Sequence, residues 1–203
     1  MKPTVVVGAV AVLLIGYLLY RLGLGDLIGL GRASSSSACN GAEPLKAPTL
    51  ARMYEFSQGL AKAWKPDAVV VRLDNLAMTA PLQPDGSSTE WTTSYYSAAA
   101  KSTLMIHTGD GQLHCSTFGG ESADNIPDVK PAFMRDGVVL YGLAEKNGRD
   151  YLAKGLGIGL VLFASGDRRA TWRLGFYDHA GYSKGPKLVV DANTGALEEV
   201  SKP

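Results

Sequence analysis

The sequence has no surplus of either charge. Its 20 Lys and Arg stand against 19 Asp and Glu, a formal net charge of +1. The basic stripe of a nucleic-acid binder is therefore missing, and so is an acidic solvating tail. Cysteine is scarce: 2 residues in a chain of 203 exclude a disulfide scaffold and an all-thiolate zinc site. There is no nucleophile elbow, no paired-carboxylate motif and no metal-ligand spacing. A G-x-G-x-G run (Gly155, Gly157, Gly159) lacks the final spaced glycine, and strand-like rather than helical residues follow it. It reads as a bend or bulge rather than a nucleotide loop. No catalytic, cofactor-binding or metal-ligating set is expected, and no cofactor. What the chain does have is 46% hydrophobic against 19% charged residues, enough for a packed core.

One long apolar run is present. Val5 to Tyr20 holds 16 residues without a charge, a helix of about 24 Å. Extended over residues 4–25 it reaches about 33 Å, enough for a bilayer core. Arg21 would snorkel beside Tyr17 and Tyr20. This predicts a membrane-anchor helix within residues 1–30, with lipid contact through 4–25. A cleaved signal peptide fits less well, because the small residues Ala33 to Ala38 lie far beyond Tyr20; a buried soluble helix is the third alternative. Lys2 on one flank and Arg21 and Arg32 on the other nearly balance. The short leading tail decides for a single-pass anchor with the C-terminal domain extracytoplasmic, periplasmic or on the cell surface. Residues 31–48, rich in Ser, Ala, Gly and Pro, are expected to form a flexible linker.

Beyond the linker the chain repeats. STEWTTSYYS and RATWRLGFYD align Trp91 with Trp172, Tyr95 with Phe176 and Tyr96 with Tyr177, each 81 positions apart. LMIHTGDGQL and LVVDANTGAL align Leu104 with Leu188, Ile106 with Val190, Gly111 with Gly195 and Leu113 with Leu197, each 84 apart. The three extra residues fall in a Gly- and Pro-rich loop, where insertions are tolerated. Leu50 to Trp64 has apolar residues at helical spacing, with Thr49 as N-cap and Pro66 beyond its end. Phe133 to Lys146 reads as a second helix ended by Asn147-Gly148. Four strand-like segments follow each helix, separated by the turn signals PDG, GDG, SGD and NTG. The fold class is therefore α+β: the anchor helix, then two tandem units over 49–120 and 121–203. Each unit is a helix packed on an antiparallel sheet of about four strands. Strand alternation sends Trp91, Thr93 and Tyr95 to one face, and Trp172, Leu174 and Phe176 likewise; both tryptophans are expected in the core.

The last unit resembles PepSY domains. Trp172, Leu174 and Phe176 carry the W-x-[VL]-x-[LF] strand, and Val190, Asp191, Ala192, Thr194, Gly195 and Leu197 the V-D-A-x-T-G-x-[LV] ending. Trp64, Pro66, Asp67 and Ala68 look like the helix-to-strand junction of such domains. The resemblance implies a PepSY/cystatin-like module, often membrane-anchored, that binds or restrains a partner without catalysing a reaction. It carries over no binding residue.

His107, His114 and Cys115 are the densest potential ligand group. His114 and Cys115 are strand neighbours and point to opposite faces, which disfavours a shared metal. A Cys–His nucleophilic pair lacks an orienting group. Cys115 is read either as a buried thiol or as the disulfide partner of Cys39. Arg168 and Arg169 read as a solvated turn tip. The expected function is a non-enzymatic, membrane-anchored binding module recognising a protein partner in the cell envelope. An accessory subunit docked through its transmembrane helix, with close approach at Gly8, Ala9 and Gly16, is the alternative. A small hydrolase acting between the units is the third.

Overall fold

The computed structural model describes residues 34–119, 126–130, 132–164 and 167–201. Helix α1 spans Leu50–Trp64. The Thr49 hydroxyl accepts from the Arg52 N–H at 3.4 Å, and α1 ends just ahead of Pro66. Its buried stripe is Leu50, Met53, Tyr54, Ser57 and Ala61, the spacing of one helical face. Helix α2 spans Gly137–Leu152. The Asp136 carboxylate caps it, accepting from the Val138 and Val139 N–H groups at 2.9 and 3.2 Å.

The strands are β1 Ser34–Ser35, β2 Val69–Asn75, β3 Trp91–Ser97, β4 Ser102–Gly109, β5 Gln112–Gly119, β6 Gly157–Ala164, β7 Ala170–Tyr177, β8 Lys187–Asp191 and β9 Leu197–Ser201. They form one nine-stranded sheet in the order β1-β5-β4-β3-β2-β6-β7-β8-β9, antiparallel at every pairing. Cross-strand partners share a face. One row runs Cys115, Ile106, Thr93, Leu73, Leu162, Trp172, Val190 and Leu197. Apart from Leu197 at the β9 edge its members are buried, so both helices cover the same side of the sheet. The next row is His114, His107, Thr92, Asp74, Val161, Arg173, Val189 and Glu199, on the side that neither helix covers.

The two tryptophans occupy matching places. Each is fully buried. Trp91 Nε1 donates to the Pro48 carbonyl at 2.9 Å and Trp172 Nε1 to the Met134 carbonyl at 2.8 Å. Those carbonyls lie one residue and two residues ahead of the two helix caps, so each indole fixes where the chain enters its helix.

The arrangement of two separate helix-on-sheet units is corrected. Strands β2 and β6, the first of each repeat, pair through Leu73 with Leu162 and Asp74 with Val161. That pairing hides two strand edges that separate units would leave open, and it yields one sheet over one continuous core. The Asn75 side chain closes the seam. It is 7% exposed, donates to the carbonyls of Ala80 (2.8 Å) and Ile158 (3.2 Å), and accepts from the Leu160 N–H at 2.8 Å.

The membrane expectation is also corrected. The anchor over residues 1–30, with its lipid contact through 4–25, lies outside the described residues. Among the described residues no helix is long and apolar enough to cross a membrane. Helices α1 and α2 are 15 and 16 residues long and each keeps an exposed polar face. The single-pass placement, and the periplasmic or cell-surface location drawn from it, are set aside.

The stretch read as a free linker is tied down from Ser34 onward. Ser34 and Ser35 pair with Thr117 and Ser116 of β5, the Ser36 N–H donates to the Cys115 carbonyl at 2.9 Å, and a 3-10 turn spans Ser37–Cys39. Cys39 is bonded to Cys115, with Cα atoms 5.9 Å apart. The second helix is displaced from the expected Phe133 to Lys146. Phe133 instead packs in the core between Tyr54 and Trp172. The end expected at Asn147-Gly148 falls on a kink: Gly148 takes a non-helical φ of −144°, and a further helical segment runs on to Leu152. A Cβ on Gly148 would lie 2.1 Å from the Phe176 ring, so glycine lets the ring and the kinked helix occupy the same space.

Candidate functional site

The uncovered face of the sheet carries a cleft of about 730 Å³. Alternation along three strands builds it. Thr92 of β3, Met105 and His107 of β4, and His114 and Phe118 of β5 all point away from the core, while Trp91, Ile106 and Cys115 point into it. Leu76 follows β2 and Glu90 precedes β3. The tip is a two-residue turn in which Asp110 and Gly111 both have positive φ, 51° and 68°, the hairpin geometry that D-G favours. It sets Gly109, Asp110 and Gln112 at the rim.

His107 is the hub. It is half-buried, its Nδ1 lies 3.1 Å from the Thr92 hydroxyl, and its ring stacks on that of its strand partner His114 at 6.4 Å between centroids. Loss of hydration holds the His107 imidazole below its ordinary pKa; Glu90, Asp74 and Asp110 pull the other way without overcoming it. His107 is therefore neutral near pH 7. Asp74, 8% exposed and next in the row, is raised by burial, with the Arg72 guanidinium and His107 opposing the shift. Arg72 Nε donates to Asp74 Oδ2. Glu90 accepts from the Thr79 hydroxyl at 3.2 Å. Gly109 leaves the cleft open: a Cβ there would meet Glu90 Cγ and His107 Nε2, each at 3.0 Å.

Thr92 and His107 resemble the first two members of a nucleophile–base chain. Among the described residues, no carboxylate hydrogen-bonds the second imidazole nitrogen, so the third member that fixes the base is missing. Among the described residues no group of three or more His, Cys, Asp and Glu gathers to hold a metal. His107 and His114 share the cleft, whereas Cys115 turns to the opposite face, where it meets Cys39. Arg168 and Arg169 are engaged in the fold: Arg168 donates to the Ile126 carbonyl at 3.3 Å, and Arg169 pairs with Glu198 and Asp167. Gly157 and Gly159 lie in regular pairing with Tyr177 and Gly175, without the expected bulge. Their absent Cβ atoms make room for Ala77 and Pro81, which cross over β6, and for Tyr177.

The turn of the V-D-A-x-T-G ending is built around Asp191. Its Oδ1 accepts from the Asn193 N–H, the Thr194 N–H and the Thr194 hydroxyl at 2.9, 2.7 and 2.9 Å. Burial would raise this carboxyl, but the hydrogen bonds outweigh it and hold Asp191 below the usual range. Asn193 in turn bonds the backbone of Asp128 and Lys130, so the motif clamps the segment leading into α2. Sequence reasoning did not assemble Asp74, Glu90, Thr92 and Phe118 with the histidines, because only register brings them together. Comparison with family models, with curated proteins and with solved structures gives no match.

Proposed function

We propose that the protein is a non-catalytic binding module that holds a segment of a partner protein in the cleft on the uncovered face of its sheet. The observation that carries this reading is the lining: an apolar floor of Leu76, Met105 and Phe118 ringed by Glu90, Thr92, His107, Gln112 and His114. Clefts of a few hundred Å³ with an apolar floor and a few convergent polar groups are the usual form of a binding site. A turnover site would also need its base oriented, and among the described residues no carboxylate does this for the Thr92–His107 pair. The resemblance to PepSY domains points towards partner binding as well, through a motif that serves here as a structural clamp.

Photocrosslinking in the cells that make the protein tests this. With p-benzoylphenylalanine in place of exposed Gln112 at the rim, a discrete adduct is expected; in place of Lys62 on the outer surface of α1, none. The Gln112 adduct should disappear when Gly109→Val fills the cleft. Equal adducts at both positions, or an adduct indifferent to Gly109→Val, would overturn the assignment.

A further inference from the structure

We infer that the cleft receives a basic side chain with an apolar stem, a lysine or arginine presented by the partner segment; this deepens the binding reading above and rests on it. Among the described residues the lining holds two carboxylates, Glu90 and Asp110, and no Lys or Arg. The half-buried ring of His107 does not offset that charge. His107 is kept neutral by burial even though three carboxylates act on it. The field inside the cleft is therefore negative, and an anion entering it would meet repulsion and no cationic partner.

Shape adds to charge. Met105 and Phe118 offer a polarizable, apolar wall to a methylene stem, as snorkelling basic side chains require. The Phe118 ring and the His107–His114 stack present flat faces on which a guanidinium lies favourably. Glu90 is positioned rather than free-swinging: the Thr79 hydroxyl holds Oε2 at 3.2 Å, and Gly109 lets the side chain lie along β4 beside His107 Nε2. A cationic head donating to Glu90 forms a charge-assisted hydrogen bond in a partly dehydrated place, where such bonds are strong. The stem alone would bury too little surface, and the head alone would stay hydrated; the cleft suits the two together.

The three histidines of the chain make the test direct, because His107 and His114 line the cleft and His179 is exposed beyond it. Ring signals of the full chain are followed by NMR during titration with n-butylguanidinium, n-pentanol and pentanoate. Butylguanidinium is expected to move His107 and His114 saturably and leave His179 in place, with pentanol weaker and pentanoate silent. Glu90→Gln should weaken butylguanidinium about tenfold. Asp110→Asn, which keeps the turn because Asn tolerates positive φ, should also weaken it. Glu55→Gln on exposed α1 should leave it unchanged. Pentanoate or pentanol acting as strongly as butylguanidinium, or binding indifferent to both cleft variants, would overturn the inference. If Gln112 still crosslinks in a Gly109-dependent way, only the charge preference falls. If that adduct is also absent, the binding reading falls with it.

Discussion

Trp91 and Trp172 each do two jobs. The ring fills the core and the indole N–H holds a carbonyl at the entrance to a helix. Replacing either by Ala is expected to cost about 3–5 kcal/mol, the range for a large buried aromatic; the Pro48 carbonyl keeps the Ser88 N–H at 3.2 Å, while the half-buried Met134 carbonyl loses its indole donor. Because both rings belong to one core, each variant should shift a single transition rather than melt half of the molecule. Urea melts of wild type and both variants check this; a negligible loss at either position would contradict the burial. Their environment was legible in the sequence, because the 81-residue repeat and strand alternation pointed both inward. The cleft was less legible. Thr92, His107 and His114 come from three strands, and nothing in their spacing announces that they form one row. The alternation gave each residue its face, but the neighbours required the register.

At the scale of elements, strand order along the chain was readable because glycine-bearing turns separate the apolar segments. Asp110-Gly111 and Gly195 take the positive φ such turns demand. Helix α2 was misplaced because Phe133 and Met134 continue an apolar pattern that belongs to the core and to the Trp172 contact, while the true cap, Asp136, lies inside that pattern. The segment Ser34 to Pro48 was misread for a different reason. Its composition is that of a tether, and its order comes from three external attachments: β5, Cys115 and Trp91. This strap covers part of an edge of the sheet that would otherwise stay unpaired. The disulfide links residues 76 apart, a long loop whose closure constrains the unfolded chain. Reduction, or Cys39→Ser, should cost about 2–4 kcal/mol. Urea melts with and without reductant measure it, and coincident midpoints would show that the strap holds without the bond.

On the scale of the whole molecule, the seam between β2 and β6 is the feature that two self-contained repeats would not need. Asn75 pairs with Trp91 where Leu162 pairs with Trp172, so the first half carries a polar amide in the place that a core leucine takes in the second. That departure emerges from the register alone, since an asparagine near a strand end reads in sequence as a turn residue. Only the pairing of the two halves gives the amide its partners. The Ala80 and Ile158 carbonyls keep other donors, Ser88 Oγ at 2.7 Å and the Leu82 N–H at 2.9 Å. Asn75→Ala therefore strands the Leu160 N–H above all, at a cost of about 1–3 kcal/mol. The seam also sets a time order. Each half is a meander of local hairpins, whereas Leu73 and Leu162 are distant in sequence, and a contact that must close a long loop forms after the hairpins it joins. Interactions made after the rate-limiting barrier slow escape from the native state without hastening arrival. Stopped-flow measurements on Asn75→Ala should then show refolding at nearly the wild-type rate and faster unfolding; a refolding rate that carries most of the loss would place the seam in the nucleus instead. With the expected outcome, the joint between the halves is a brake on unfolding, and the lifetime of the cleft is set by strands that do not line it.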